Sequence, residues 1–318
     1  MIRYYLKKIS HLLGEACVKG SLGRFLERSP GVLRGAVGED IQGTNYQRLV
    51  LAFWDLDLLH LGDQLFHWPL IQCAQRQGIE VLVIGPTPLD EIYAKMGIAV
   101  ISKEDIIEQS VIVSKRDMWP QVARLKLRNC YFVGMNYTHL DGELRIASLI
   151  QDEVLGVFSG LSQSICGGFD RDAVMNLVDQ GGDYGLQKPI FAINHFVASH
   201  HFSAMRRTEC FVQLAKTKKE EGYALVVLGS TAEAKKQLPY AQYVDLDLRG
   251  KLSMMELFSF FKSKHVNGLI SFDAFLVHVA TLFQKDLVVI GKSTKTMALM
   301  QQRFVPFLSG IDSQIECI

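Results

Sequence analysis

No stretch of this 318-residue chain strings together the roughly 18 apolar residues that a membrane-crossing helix needs, and residues 1–20 lack the uninterrupted apolar core of a secretory signal. The chain is therefore expected to stay in the cytoplasm. An excess of one charge is missing too: 34 Lys and Arg stand against 33 Asp and Glu, a formal net charge of +1. That balance gives no global pull toward nucleic acid, so an electrostatic partner must be met by a local patch. The six cysteines (Cys17, Cys73, Cys130, Cys166, Cys210, Cys317) form no C-x-x-C pair and no ladder of close spacings. Reduced thiols and no structural zinc are the simplest expectation. No internal repeat or low-complexity tract occurs. No G-x-G-x-x-G follows the first strand, where Asp55-Leu56-Asp57-Leu58-Leu59-His60 stands instead, and this weighs against a nicotinamide-dependent oxidoreductase.

What is present is apolar material, 48% of the chain, ample for two cores of roughly 150 residues each. The first 37 residues stand apart, with seven basic residues against two acidic ones. Ile2, Tyr5, Leu6, Ile9, Leu12 and Leu13 recur at helical spacing, with Arg3, Lys7 and Lys8 largely opposite. Such a helix suits an anionic membrane surface, or equally docks on the body of the protein with its basic face in solvent. Residues 1–47 are thus read as a basic helical N-terminal extension.

From Arg48 the pattern becomes regular. The run Arg48-Leu49-Val50-Leu51-Ala52-Phe53, a helix through Pro69–Ala74 and the run Glu80-Val81-Leu82-Val83-Ile84 make a βαβ unit. Short strands are expected at 99–101, 130–133 and 154–158. A glycine-bearing linker with one helix inside it spans 162–187. A second series then opens at Pro189, with a helix over 208–219, a strand at 224–229, a short strand at 243–246 and a helix capped by Ser253. The domains are accordingly 48–187 and 188–318, both α/β and Rossmann-like.

Chemistry concentrates at 266–291. The apolar run Val266–Phe272 leads into Asp273 and then His278, five residues on, before the run Asp286–Gly291. Both polar residues are placed at the carboxyl edge of a parallel sheet, where open α/β folds bind ligands, and a helix N-terminus there suits phosphate. Asp273 serves equally well as a helix N-cap.

Four segments, in order over Arg48–Gly291, resemble family 9 of the GT-B glycosyltransferases, the lipopolysaccharide heptosyltransferases that use ADP-heptose. They are Leu61-Gly62-Asp63 through Pro69, Leu228-Gly229 through Glu233, Asp247-Leu248-Arg249-Gly250-Lys251-Leu252-Ser253, and Asp273 through Ala280. The resemblance implies two Rossmann-like domains facing a central cleft. It implies an inverting transfer of a heptose or related sugar from a nucleotide diphosphate, ADP-sugar foremost, to a lipopolysaccharide-core or similar glycan or glycolipid acceptor at the inner membrane face. Neither a cofactor nor a metal is implied. Asp63 takes the position of the general base, its other use being a helix cap. Glu233 would accept from ribose hydroxyls, Leu252 would flank the adenine, Asp273 would bind sugar hydroxyls, and His278 would face the diphosphate.

The departures point elsewhere. Phe275 stands where the motif has glycine and Ala274 where it has a small hydroxyl residue, so the close backbone approach that glycine permits is lost. Ala204 replaces a lysine; Arg206 or Arg207 would supply the missing positive charge. His195, His200 and His201 lack a spaced carboxylate or cysteine partner for a metal, and Asp55 with Asp57 could read a sugar or simply end the strand. The alternative to a transferase is a related protein without catalysis that binds or scaffolds.

Overall fold

The structure is a computed structural model that describes residues 27–28, 32–37, 46–56, 60–135, 154–158, 169–196, 208–272, 274–290 and 315–317. The chain divides into two compact units, Met1–Asp170 and Arg171–Ile318.

The strands of the first unit are β1 (Glu27–Arg28), β2 (Val32–Val37), β3 (Arg48–Ala52), β4 (Glu80–Ile84), β5 (Ala99–Ile101), β6 (Ile106–Glu108), β7 (Ser110–Lys115), β8 (Lys126–Arg128) and β9 (Cys130–Met135). Seven of them form one sheet in the order β1-β2-β9-β7-β3-β4-β5, and β6 pairs with β8. Strands β3, β4, β5, β7 and β9 run parallel, whereas β1 and β2 are antiparallel additions. Leu49, Val50, Leu51, Ile112, Val113 and Phe132 are fully buried, as expected of a sheet covered on both faces.

One face of that sheet carries α1 (Leu61–Leu65), α2 (Trp68–Arg76) and α3 (Asp90–Lys95). Helix α2 starts with Pro69 in its first turn and buries Trp68 through Ala74, and Gly78 at φ 71° ends it. Against the other face lies α4 (Trp119–Val122). Trp119 meets Phe132 at 4.9 Å between ring centres, and Ser114 Oγ donates to the Ala52 carbonyl at 2.9 Å.

The second unit contains α5 (Arg171–Met175), β10 (Ile190–Asn194), α6 (Thr208–Glu220), β11 (Ala224–Val227), α7 (Thr231–Ala234), β12 (Leu246–Asp247), α8 (Met254–Lys262), β13 (Val266–Phe272), α9 (Phe275–Leu282), β14 (Asp286–Ile290) and β15 (Ile315–Cys317). Its six strands, all parallel, are ordered β12-β11-β10-β13-β14-β15. Phe191, Ile193, Phe211, Leu225, Val227 and Phe272 belong to its core.

Each sheet reverses its winding once. In the first unit the chain builds outward from β3 to β5 and then returns to lay β7 on the other side of β3; in the second, β13 lies on the other side of β10 from β11. These two reversals, β3/β7 and β10/β13, are the switch points beyond whose carboxyl ends such sheets take their ligands.

Four expectations change. Residues 32–37, assigned to a helical extension, form β2 paired with β9 from Val32↔Met135 to Val37↔Cys130; an open sheet edge offers a backbone partner that an amphipathic pattern does not reveal. The amphipathic helix expected near residues 2–13 lies outside the described residues. Val154–Phe158, expected as a strand, is a helical turn in which Val157 and Phe158 donate to the carbonyls of Val154 and Leu155, since a short apolar run carries no period of its own. The residues after Asp170 fasten to the second unit: Gly181 N–H donates to Ser259 O at 3.0 Å, Lys262 Nζ to Val178 O at 2.7 Å and Ser263 Oγ to Gly182 O at 2.9 Å. Finally, Cys73, buried in α2, is joined in a disulfide whose other half lies outside the described residues. Spacing along the sequence could not show a pairing of distant thiols.

Candidate functional site

At the carboxyl edge of the first sheet, β3 runs out through Phe53, Trp54 and Asp55 toward α1. Trp54 Nε1 donates to Gln121 Oε1 at 3.0 Å, and Gln121 Nε2 donates to Asp55 Oδ2 at 2.8 Å. The carboxylate and the half-buried indole are thereby fixed in orientation. Asp57 lies outside the described residues.

Asp63 is the third residue of α1 and half-buried. It is not the N-cap, a place taken by His60; its Oδ2 instead accepts from the His60 N–H at 3.2 Å. The capping use and a catalytic use are compatible, because one oxygen fixes the carboxylate while the other lone pairs remain for a ligand. One turn on, His67 is fully buried. Its Nδ1 lies 3.0 Å from the Asp63 carbonyl and its ring meets Phe53 edge-on at 5.0 Å. Burial pushes its pKa down to about 4, so the ring is a neutral packing element beneath Asp63.

In the second unit Glu233 is the third residue of α7, and its Oε2 accepts from the Ser230 N–H at 2.7 Å. Two further residues constrain it. A Cβ on Gly229 would stand 2.5 Å from that oxygen, so glycine leaves the room in which the carboxylate folds back. Arg249, only 6% exposed, grips the carboxylate of Asp247 through Nε at 2.9 Å and Nη2 at 2.6 Å. Its Nη1 donates to the carbonyls of Glu233 at 2.7 Å and Lys236 at 2.8 Å. Arg249 holds the Asp247 carboxyl below its ordinary range, chiefly through these side-chain hydrogen bonds. Gly250, at φ +68°, brings the following turn against Thr231, where a Cβ would stand 2.6 Å from Cα. Leu252 is half-buried between this turn and the Ser253 cap of α8.

Beyond β10, His195 is 3% exposed and stacks on Phe211 at 4.3 Å and Phe196 at 4.8 Å. Neither ring nitrogen has a hydrogen-bond partner. Burial first, then the charges of Lys236 and Arg249, push its pKa down to about 4. Lys236 Nζ lies over the Phe196 ring at 4.6 Å. His195 is a neutral core residue. Among the described residues no group of three His, Cys, Asp or Glu side chains is placed to hold a metal.

Asp273, Arg206 and Arg207, like His200 and His201, lie outside the described residues. His278 is on α9 and 7% exposed, in a stretch buried from Leu276 to Leu282. Helix α9 begins with Ala274 as its N-cap, and the half-buried ring of Phe275 lies 6.4 Å from Phe258 of α8. Sequence reasoning passed over Arg249, Gln121 and Lys115. The fork of Arg249 joins residues 13 and 16 positions away; its signal was an arginine between Asp247 and Gly250 in a segment otherwise suited to a turn.

Two parallel α/β sheets in one chain, each with its polar residues gathered past a switch point, define the paired-Rossmann GT-B class. Within it, the chain has the fold of solved family 9 glycosyltransferases. It is similar to the glycosyl transferase family 9 protein from Veillonella parvula DSM 2008, at 14% identity over 88% of each chain with a TM-score of 0.54. It is similar also to the E. coli ADP-heptose lipopolysaccharide heptosyltransferase II, at 16% identity over 85% of this chain and 90% of that one, TM-score 0.51. For an E. coli heptosyltransferase solved with ADP the values are 12%, 85%, 93% and 0.54. No family model and no curated protein sequence matches the chain. No helix among the described residues is long and apolar enough to cross a membrane.

Proposed function

We propose that the protein is an inverting glycosyltransferase that moves a heptose or related sugar from a nucleotide diphosphate, ADP-sugar foremost, to a lipopolysaccharide-core or similar glycan acceptor. The observation that carries this reading is Glu233: a carboxylate at the carboxyl edge of the second sheet, fixed through one oxygen and braced through its own carbonyl by Arg249. A glutamate so held has acceptor sites left for a pair of ribose hydroxyls. Asp63 is the proposed base that takes the acceptor's proton as the sugar leaves its diphosphate. Asp273, His278, Arg206 and Arg207 are proposed to meet the sugar and the departing phosphates, and Leu252 the base of the nucleotide. The basic residues before β3 support work at the cytoplasmic face of an anionic membrane.

Calorimetric titration of the full chain with ADP, UDP and GDP, repeated on Glu233→Ala, tests this. Selective binding of one nucleotide, weakened at least tenfold in the variant, is expected. Absence of binding to all three would sink the transferase reading. Phe275 at the motif glycine favours the second reading, a non-catalytic binding protein of the same fold, and that outcome would leave it standing.

A further inference from the structure

At the switch point of the first sheet the last residue of β7 is Lys115, and it is only 7% exposed. Lysine is almost never buried to this degree unless paired. Yet among the described residues the Lys115 side chain makes no ion pair and no hydrogen bond, and the same holds for the half-buried Arg116 that follows. The Lys115 ammonium is not among the sealed polar atoms, so it is the end of the side chain that reaches the surface, with the methylene stem packed below. A cation so placed carries a desolvation cost that nothing in the described fold offsets.

Its surroundings say what would offset it. Side chains alternate along β7, so Lys115 shares a face with Val111 and Val113, and the register sets Val113 beside Leu51 of β3. Continuing that alternation leads to Phe53, whose ring packs on His67 one turn after Asp63. The face of Ser114 is the one closed by α4. Lys115 therefore stands on the Asp63 side of the sheet. Trp54, with its indole N–H tied to Gln121, offers a fixed flat surface at the end of the neighbouring strand, the kind of surface on which a sugar ring stacks.

We propose that Lys115, aided by Arg116, is the anion-recognising residue of a binding site at this edge, and that its ligand is a sugar bearing a carboxylate or a phosphate. That the ligand is a sugar acceptor rests on the transferase reading; that it is an anion rests on the buried lysine.

The test is equilibrium titration of the full chain with glucose 6-phosphate, glucuronate and glucose, on the wild type and on Lys115→Met, with ADP titrated in parallel. The expected result is binding of at least one of the two anionic sugars, with glucose weaker by about tenfold or more and the same loss in Lys115→Met, the size of one charge-assisted hydrogen bond. Whichever anion binds decides between carboxylate and phosphate. Equal binding by Lys115→Met, equal binding of glucose, or no binding of either anion overturns the inference. ADP binding is expected to be unchanged in the variant; if ADP fails to bind the wild type while the anionic sugar binds, the transferase reading falls and the Lys115 site stands. The urea midpoint of Lys115→Met is expected at or above that of the wild type. A lower midpoint, together with binding that Lys115→Arg fails to restore, would make Lys115 a structural residue and overturn the inference.

Discussion

Arg249 holds Glu233 by its main chain, not by its side chain: the guanidinium Nη1 donates to the Glu233 carbonyl at 2.7 Å, while the carboxylate is left to Ser230. Binding of the nucleotide and stability of the unit are therefore both routed through Arg249. Replacing it by methionine strands two carbonyls and the Asp247 carboxylate. The expected cost is about 2–4 kcal/mol in urea unfolding, with nucleotide affinity falling as well.

Gly229 and Gly250 separate these two effects. At Gly229 an added methyl meets the free end of the Glu233 side chain, and at Gly250 it meets the Thr231 backbone at a positive φ. Gly229→Ala should keep its melting temperature within a few degrees yet lose nucleotide binding, in the manner of Glu233→Ala. Gly250→Ala should lose about 1–3 kcal/mol of stability. Calorimetry and thermal melts on the pair check both; a Gly229→Ala protein that binds normally would remove Glu233 from the site.

Asp63→Asn keeps an oxygen to accept from the His60 N–H but cannot take a proton. Its fold and melting temperature should match the wild type, while transfer from the matching nucleotide sugar falls by about 10²–10⁴. Asp63→Ala should show the same loss of turnover and, in addition, the roughly 1 kcal/mol of a missing cap. Full activity in Asp63→Asn would reduce Asp63 to a cap.

Acid should weaken the second unit through His195. A histidine whose folded pKa is about 4, against about 6.5 unfolded, contributes its full stability above pH 6.5. That contribution is lost progressively as pH falls from 6.5 toward 4. The loss is on the order of 2 kcal/mol, and His195→Phe should flatten it. Asp247, held low by Arg249, adds a loss only at lower pH. Urea midpoints from pH 8 to pH 4 on both proteins check the sign.

Much of the framework was legible because buried parallel strands are continuous apolar runs: Leu49–Ala52, Val81–Ile84, Ile190–Asn194 and Val266–Phe272 need no partner to be recognised. Ser253, read as a cap from its place before Met254, accepts from the Glu256 N–H at 3.2 Å. Asp63 and Glu233 were legible as site residues but not as third-turn-position braces, because a cap and a brace differ by which residue carries the extended backbone. Lys115 was invisible: a lysine at a strand end reads as the solvent-facing close of the strand, and only burial shows otherwise. Arg249 was invisible for a different reason, its partners being carbonyls, which every residue has.

The side-chain amide of Gln72 both donates to and accepts from the Asp170 main chain, at 2.7 and 2.8 Å, where the first unit ends. It behaves as a strand neighbour would, and it does so 98 residues upstream. The first unit thus ties off its own thread before the second begins. A chain knotted off in this way has a natural seam at Asp170–Arg171, one at which one half could be exchanged for another in evolution or by cloning without unravelling the half left behind.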